Sequence, residues 1–207
     1  VAAGAHWAQK RARGRLKVRE AAFALFAERG FEATTIEEIA ARSGVSRRSI
    51  FRYFEGKEGI FFSAQHEHLD FFQARVAQDT ARHPYLRVKA ACVALAARFS
   101  LHRAAIKLHY DITQDARSLS PQDASLNRAW DDAMLAALAA DPEQPSQEEA
   151  LLAGALMGTL RVVLRGWIER GAHEDLQALG LGAFARLERG FDLAALGDLS
   201  AQKSPNR

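Results

Sequence analysis

The 207 residues read as an all-α protein, with a small N-terminal head of three helices built around a helix-turn-helix and a larger C-terminal helical body. Three observations predict this. Apolar residues recur at intervals of three and four through nearly the whole chain, and no alternating run marks a strand. Helix starts and stops are written into the head, as TIEE from Thr35 to Glu38 and as the glycine turn Ser43-Gly44. Charge is also divided: residues 1–60 hold twelve Lys/Arg and seven Asp/Glu, net +5, whereas residues 61–207 hold sixteen and eighteen, net −2. With 48% hydrophobic and 26% charged residues the composition is that of a folded globular chain.

The first helix is expected from Leu16 to Arg29, where Val18, Ala21, Ala22, Leu25 and Phe26 fall on one face and Gly30 follows as a stop. Thr35 caps the second, whose buried face is Ile36, Ile39 and Ala40 and whose end lies near Gly44. Ser46 caps the third, with Ile50 and Phe54 as its inward seam. A long fourth helix should run from about Gly56 to Gln78, turning Phe62, Leu69, Phe72 and Val76 to one side and tying the head to the rest. Three further helical blocks follow, Pro84 to Leu101, His102 to about Gln114, and Pro121 to Ala140. The proline-bearing loop DPEQPSQ separates them from a final pair, about Gln147 to Arg170 and Asp175 to Leu196. The chain thus divides into a basic N-terminal arm (1–14), the head (15–62), the body (63–198) and a disordered tail (199–207).

Two short helices joined by a glycine-containing turn form the motif whose second helix enters the DNA major groove. If Ile50 and Phe54 face inward, Arg47, Phe51, Arg48 and Arg52 form the outward strip, and Ser46, Arg47, Arg48 and Ser49 begin the helix at the base edges. Arginine can clamp guanine with two hydrogen bonds, and an aromatic edge can touch a thymine methyl. Thr35, Tyr53 and Lys57 are placed for phosphates, with the first amides after Gly56 as further anion donors. The acid-free run KRARGRLKVR, residues 10–19, adds a second basic element beside this one.

Residues 35–54, TIEEIAARSGVSRRSIFRYF, followed by EGKEGIF and preceded by LFAERGFEATT, resemble the DNA-binding region of the TetR family of bacterial regulators. The resemblance covers about residues 15–62. It implies a homodimeric, all-helical repressor whose larger C-terminal domain binds a small molecule and which leaves its palindromic operator when that ligand is present. Where the family usually has tyrosine this chain has Phe51, so apolar contact alone remains there. The segments RAAIKLHYDITQD, RAWDDAMLAALA and LMGTLRVVLRGW loosely resemble TetR regulators related to the mycofactocin regulator, which implies an acyl-CoA-like or other long apolar effector.

The middle helices offer Phe99, Ile106, Tyr110, Trp130, Met134, Met157 and Trp167 as the bulky apolar inventory of a pocket. The last two helices are expected to pair the subunits: the first is apolar on nearly all sides and carries Gly154 and Gly158, and the second has a stripe of Leu176, Phe184, Leu187 and Phe191. His66 and His68, two apart, point to different sides of a helix and read as solvated rather than metal-binding. His102 and His109, seven apart, share a face. No G-x-S-x-G, Walker loop or H-E-x-x-H is present, so no enzyme, cofactor or metal is expected.

Cys92 is the single cysteine, the N-terminus lacks the apolar segment of a signal peptide, and residues 150–168 carry Arg161 and Arg165 where a membrane span would be driest. A reducing cytoplasm is therefore the expected setting. The alternative to a ligand-responsive regulator is a structural or constitutive DNA-binding protein, which would have a packed body and little sequence preference.

Overall fold

The computed structural model describes residues 2–79 and 83–190, and among these it contains nine α-helices, one 3₁₀ turn and no strand. Helix α1 spans Ala2–Arg29 and so starts well before Leu16. Its buried face, Val18, Ala21, Ala22, Leu25 and Phe26, begins only in its second half. The earlier turns hold good helix formers, Ala, Gln, Lys and Arg, so they continue the helix without the apolar stripe by which a helix is recognised in sequence.

Helices α2 (Ile36–Ser43) and α3 (Arg47–Tyr53) pack on α1 and on each other, and bury Ile39, Ile50 and the C-cap Phe54. Helix α4 (Gly56–Gln78) packs on α1 and then on two helices of the body. Its buried positions, Ile60, Phe61, Phe62, Leu69, Phe72 and Val76, join the head's core to the body's in one continuous apolar cluster. The aromatic rings of Phe23, Phe26, Phe31 and Phe61 cluster at that junction, with Phe26 and Phe61 each touching the other three at centroid distances of 5.1 to 5.9 Å.

The body comprises α5 (Pro84–Leu101), α6 (Arg103–Asp115), the 3₁₀ turn Arg117–Leu119, α7 (Ser120–Leu138), α8 (Gln147–Glu169) and α9 (Leu176–Arg189). Helix α5 is central, touching α4, α6, α7 and α9. Pro84 suits its first turn, where the missing N–H is no loss. Ser146 and Glu149 form a second capping box at the start of α8, and Asp175 caps α9. Helix α7 stops two residues before Ala140 because Ala139 is already extended. The expected continuation of α9 to Leu196 and the tail 199–207 lie outside the described residues, as does Phe191.

Helix α8 is long and apolar enough to cross a membrane by length and composition. It packs Ala153, Leu156, Met157, Trp167 and Ile168 against α7, α9 and the rest of the body, and leaves Leu151, Gly154, Gly158 and Val162 exposed.

Candidate nucleic-acid interface and ligand cavity

The turn between α2 and α3 is built by local hydrogen bonds. Thr35 accepts from the Glu38 amide at 3.3 Å while Glu38 accepts from the Thr35 amide at 3.0 Å. Those bonds, with Arg29 nearby, hold the Glu38 carboxyl below its ordinary range. Gly44 then takes the left-handed conformation at φ +67°, where a side chain would be strained, and its amide closes α2 on Ala40. Ser46 accepts from the Ser49 amide at 3.3 Å and so starts α3.

With Ile50 and Phe54 buried, Arg47, Arg48, Phe51 and Arg52 stand on the surface, and Phe51 is 54% exposed although it is a large apolar ring. Arg47 pairs with Glu37 at 2.9 Å, an exposed pair of the kind worth about 0 to 1 kcal/mol and readily exchanged for another partner. Arg52 donates to the Ser49 hydroxyl at 3.3 Å. Tyr53 is half-buried: its ring lies against Gly14, where a Cβ would come within 2.9 Å, and its carbonyl accepts from Arg15 at 2.6 Å. That contact sets the basic first half of α1 against the end of α3, with Lys10, Arg11, Arg13 and Lys17 exposed.

Lys57 departs from expectation. Its Nζ donates to the carbonyls of Phe31, Thr34 and Glu32 at 2.7, 3.0 and 3.3 Å, and lies 4.3 Å from the Phe31 ring. An ammonium has three donors, and all three here close the α1–α2 loop instead of pointing to a phosphate.

In the body, helices α4 to α9 line a cavity of about 640 Å³ that opens to the surface. Six of the seven bulky residues offered by the sequence, Phe99, Ile106, Tyr110, Trp130, Met134 and Met157, line it. Trp167 does not: it is fully buried elsewhere and donates to the Glu174 carbonyl at 2.9 Å. Exposed residues in the lining, among them Asn127, Arg128, Asp131 and Arg165, mark where the cavity reaches the surface along α7 and α8. Arg161 on this rim pairs with Asp131 at 2.6 Å.

Sequence reasoning missed the polar wall. His68 is buried rather than solvated, with its ring 4.8 Å from Phe99, and burial pushes it down to about 4. His109 is pushed down to about 3, first by burial and then by His68. Gln65 joins them in the lining, and burial raises the Cys92 thiol to about 12. The spacing of Phe61, Gln65, His68, Phe72 and Val76 is the signal that could have found this wall, because it places all five on one face of α4.

The expected pairing surface divides. Gly154 and Gly158 are exposed, and a Cβ at either meets nothing within 4 Å in this chain. Phe184 is a correction: at 1% exposure it belongs to the chain's own core and the cavity wall, because α9 turns that face onto α5 and α8. Leu187 is half-buried against the same core. Exposed large apolar side chains on these two helices are Leu151, Leu152 and Val162 of α8 and Leu181 of α9.

A cationic, aromatic recognition strip on a three-helix head, joined by one long helix to a hollow helical body, is the architecture of a helix-turn-helix transcription regulator. Residues 18–64, the N-terminal head, match the family described as bacterial regulatory proteins, tetR family. The chain is 31% identical over 97 residues to the HTH-type transcriptional repressor KstR2 of Mycobacterium tuberculosis, covering 46% of this chain and 48% of that protein. It is 24% identical over 184 residues to the fatty acid metabolism regulator protein of Bacillus subtilis, covering 85% and 94%. The match to KstR2 thus spans about half of that relative's length.

Two solved structures share the fold. SmeT, the repressor of a Stenotrophomonas maltophilia multidrug efflux pump, in complex with triclosan, has a TM-score of 0.65 at 22% identity over 93% of this chain and 99% of that one. FadR from Bacillus subtilis in complex with stearoyl-CoA has a TM-score of 0.64 at 18% identity over 85% and 98%.

Proposed function

We propose that this protein is a ligand-responsive transcriptional repressor that binds a palindromic operator as a homodimer and leaves it when an apolar effector of the acyl-thioester type fills the cavity. One observation carries the reading: the recognition strip and an apolar cavity of about 640 Å³ are joined by the single helix α4. Lys57 at its start holds the head's loop, and Gln65, His68 and Phe72 further along form cavity wall. A constitutive DNA-binding protein has no use for such a void, since empty interior volume forfeits packing energy.

In this reading Arg47, Arg48 and Phe51 meet base edges, while Thr35, Ser46, Ser49, Arg52 and Tyr53 position the head. The acyl chain lies among Phe99, Trp130, Met134 and Met157, with Arg128 and Arg165 at the rim for an anionic headgroup. Two subunits pair through the exposed faces of α8 and α9, with Gly154 and Gly158 at the closest approach. The protein then works in the cytoplasm, where the DNA is.

An operator fixes the distance between two heads, so a tilt of α4 that changes this distance lowers affinity. Moving the population from mostly competent to mostly incompetent takes about 5.5 kcal/mol of differential affinity. Burial of roughly seven methylenes, at about 0.8 kcal/mol each, supplies that if the cavity accepts the chain in one state only. The test is selection of bound fragments from random duplex DNA, then titration of the selected complex with lauroyl-CoA and stearoyl-CoA. A palindrome and release by either thioester are expected. Recovery of no preferred sequence, or binding of thioesters that leaves the complex intact, defeats the reading.

A further inference from the structure

We propose that the end of the cavity formed by Gln65, His68 and His109 is a subsite for a neutral hydroxyl group on an otherwise apolar ligand. The proposal rests on reading the cavity as a ligand site and names the chemistry recognised at its inner wall. Gln65 and His68 lie three apart on one face of α4, and His109 faces the same cavity from α6. Gln65 Oε1 and His109 Nδ1 are buried and have no hydrogen-bond partner. A buried polar atom without a partner costs about 1 to 3 kcal/mol, and a purely apolar ligand would leave both atoms in that state.

The group that fits must be uncharged. Burial keeps His68 and His109 neutral, so neither offers a cation to a carboxylate. Arg98, the cation whose charge acts most on His68, is not part of the cavity wall and lies over the Phe71 ring at 5.2 Å. A carboxylate would therefore lose its hydration without compensation. The group must also donate, because Gln65 Oε1 can only accept. A hydroxyl donates and accepts at once, and so gives its proton to Gln65 Oε1 while accepting from His109 in the tautomer that carries its proton on Nδ1.

Position gives this subsite a consequence for DNA. The His109 ring stacks on Phe61 with centroids 4.2 Å apart and an interplanar angle of 21°, and meets the edge of Phe62 at 5.6 Å. Phe61 in turn touches Phe23, Phe26 and Phe31, the rings that seat α1 against α4 in the head. A ligand hydrogen-bonded to His109 thus acts on the ring beside the head's core.

The test uses the full chain and three matched probes, 1-decanol, decyl methyl ether and decanoate, with affinities from calorimetric titration. Decanol is expected to bind about three- to tenfold more tightly than the ether, the yield of one added hydrogen bond, and decanoate most weakly. Gln65→Met and His109→Phe keep the size of the wall, and His109→Phe keeps the stacking, so each should bring the decanol-to-ether ratio toward one. Equal binding of decanol and ether by the unaltered chain, or a ratio unmoved by both substitutions, overturns the hydroxyl subsite and leaves the cavity a ligand site. Failure of all three probes to bind removes the ligand site itself.

Discussion

Arg48 and Lys57 show how differently two cations of one motif can be used. Arg48 stands exposed at the start of α3, while Lys57 spends its three donors on backbone carbonyls of the α1–α2 loop. Arg48→Ala should cost operator binding about 1 to 3 kcal/mol and relax the preference at one base position, read by anisotropy titration against a set of single-base operator variants. Arg47→Ala should behave alike, because its exposed pair with Glu37 is weak enough to be given up for a base. For Lys57→Met the expected loss is in folding stability, about 1 to 3 kcal/mol by denaturant titration, since hydrogen bonds from a charged donor are replaced by none. Unchanged stability together with a shallower salt dependence of DNA binding would return Lys57 to the phosphates.

At the scale of elements, the first half of α1 is a helix without a core. It is held by Gly14 against the Tyr53 ring and by Arg15 on the Tyr53 carbonyl, and it carries Lys10, Arg11 and Arg13 outward beside α3. Removal of residues 2–13 should weaken DNA binding at low salt for all sequences alike. The slope of log affinity against log salt should become shallower by about 0.9 for each phosphate that the shortened chain leaves unneutralised. A slope identical to that of the whole chain would mean these cations never meet DNA. On α8, Gly158→Leu should lower dimer content and operator affinity together, as measured by sedimentation at low concentration. The monomer has room for the new side chain, so any loss reports the partner and not the fold.

For the whole molecule, two neutral histidines tie stability to pH. His68 and His109 are held near 4 and 3 in the folded chain against an ordinary value of 6.5. Below pH 6.5 the unfolded chain takes up protons that the folded chain refuses, so stability present above 6.5 is lost as pH falls toward 4 and 3. Between pH 6.5 and 5 this loss belongs to histidine, because Glu38, Glu149 and Glu188, held low by hydrogen bonds and ion pairs, titrate further down. Thermal unfolding midpoints should therefore fall across that window, and His109→Phe should flatten the fall. An equal slope in both proteins would remove His109 from the account.

Local chemistry wrote the head into the sequence. Thr35 with Glu38, Gly44 and Ser46 fix both helices of the motif through bonds spanning three or four residues, and Ile50 with Phe54 fixes which side faces out. The same locality gave the bounds of α4 and α5 and the six bulky side chains of the cavity. Packing between distant segments decided the rest. Whether Phe184 faces a partner or its own core depends on how α9 rolls on α5, and whether His68 meets water depends on α5 closing over α4. The use of Lys57 likewise depends on three carbonyls more than twenty residues away. Capping and periodicity act within a turn of helix and are legible one segment at a time, whereas burial is a property of surfaces that meet only when the chain has folded.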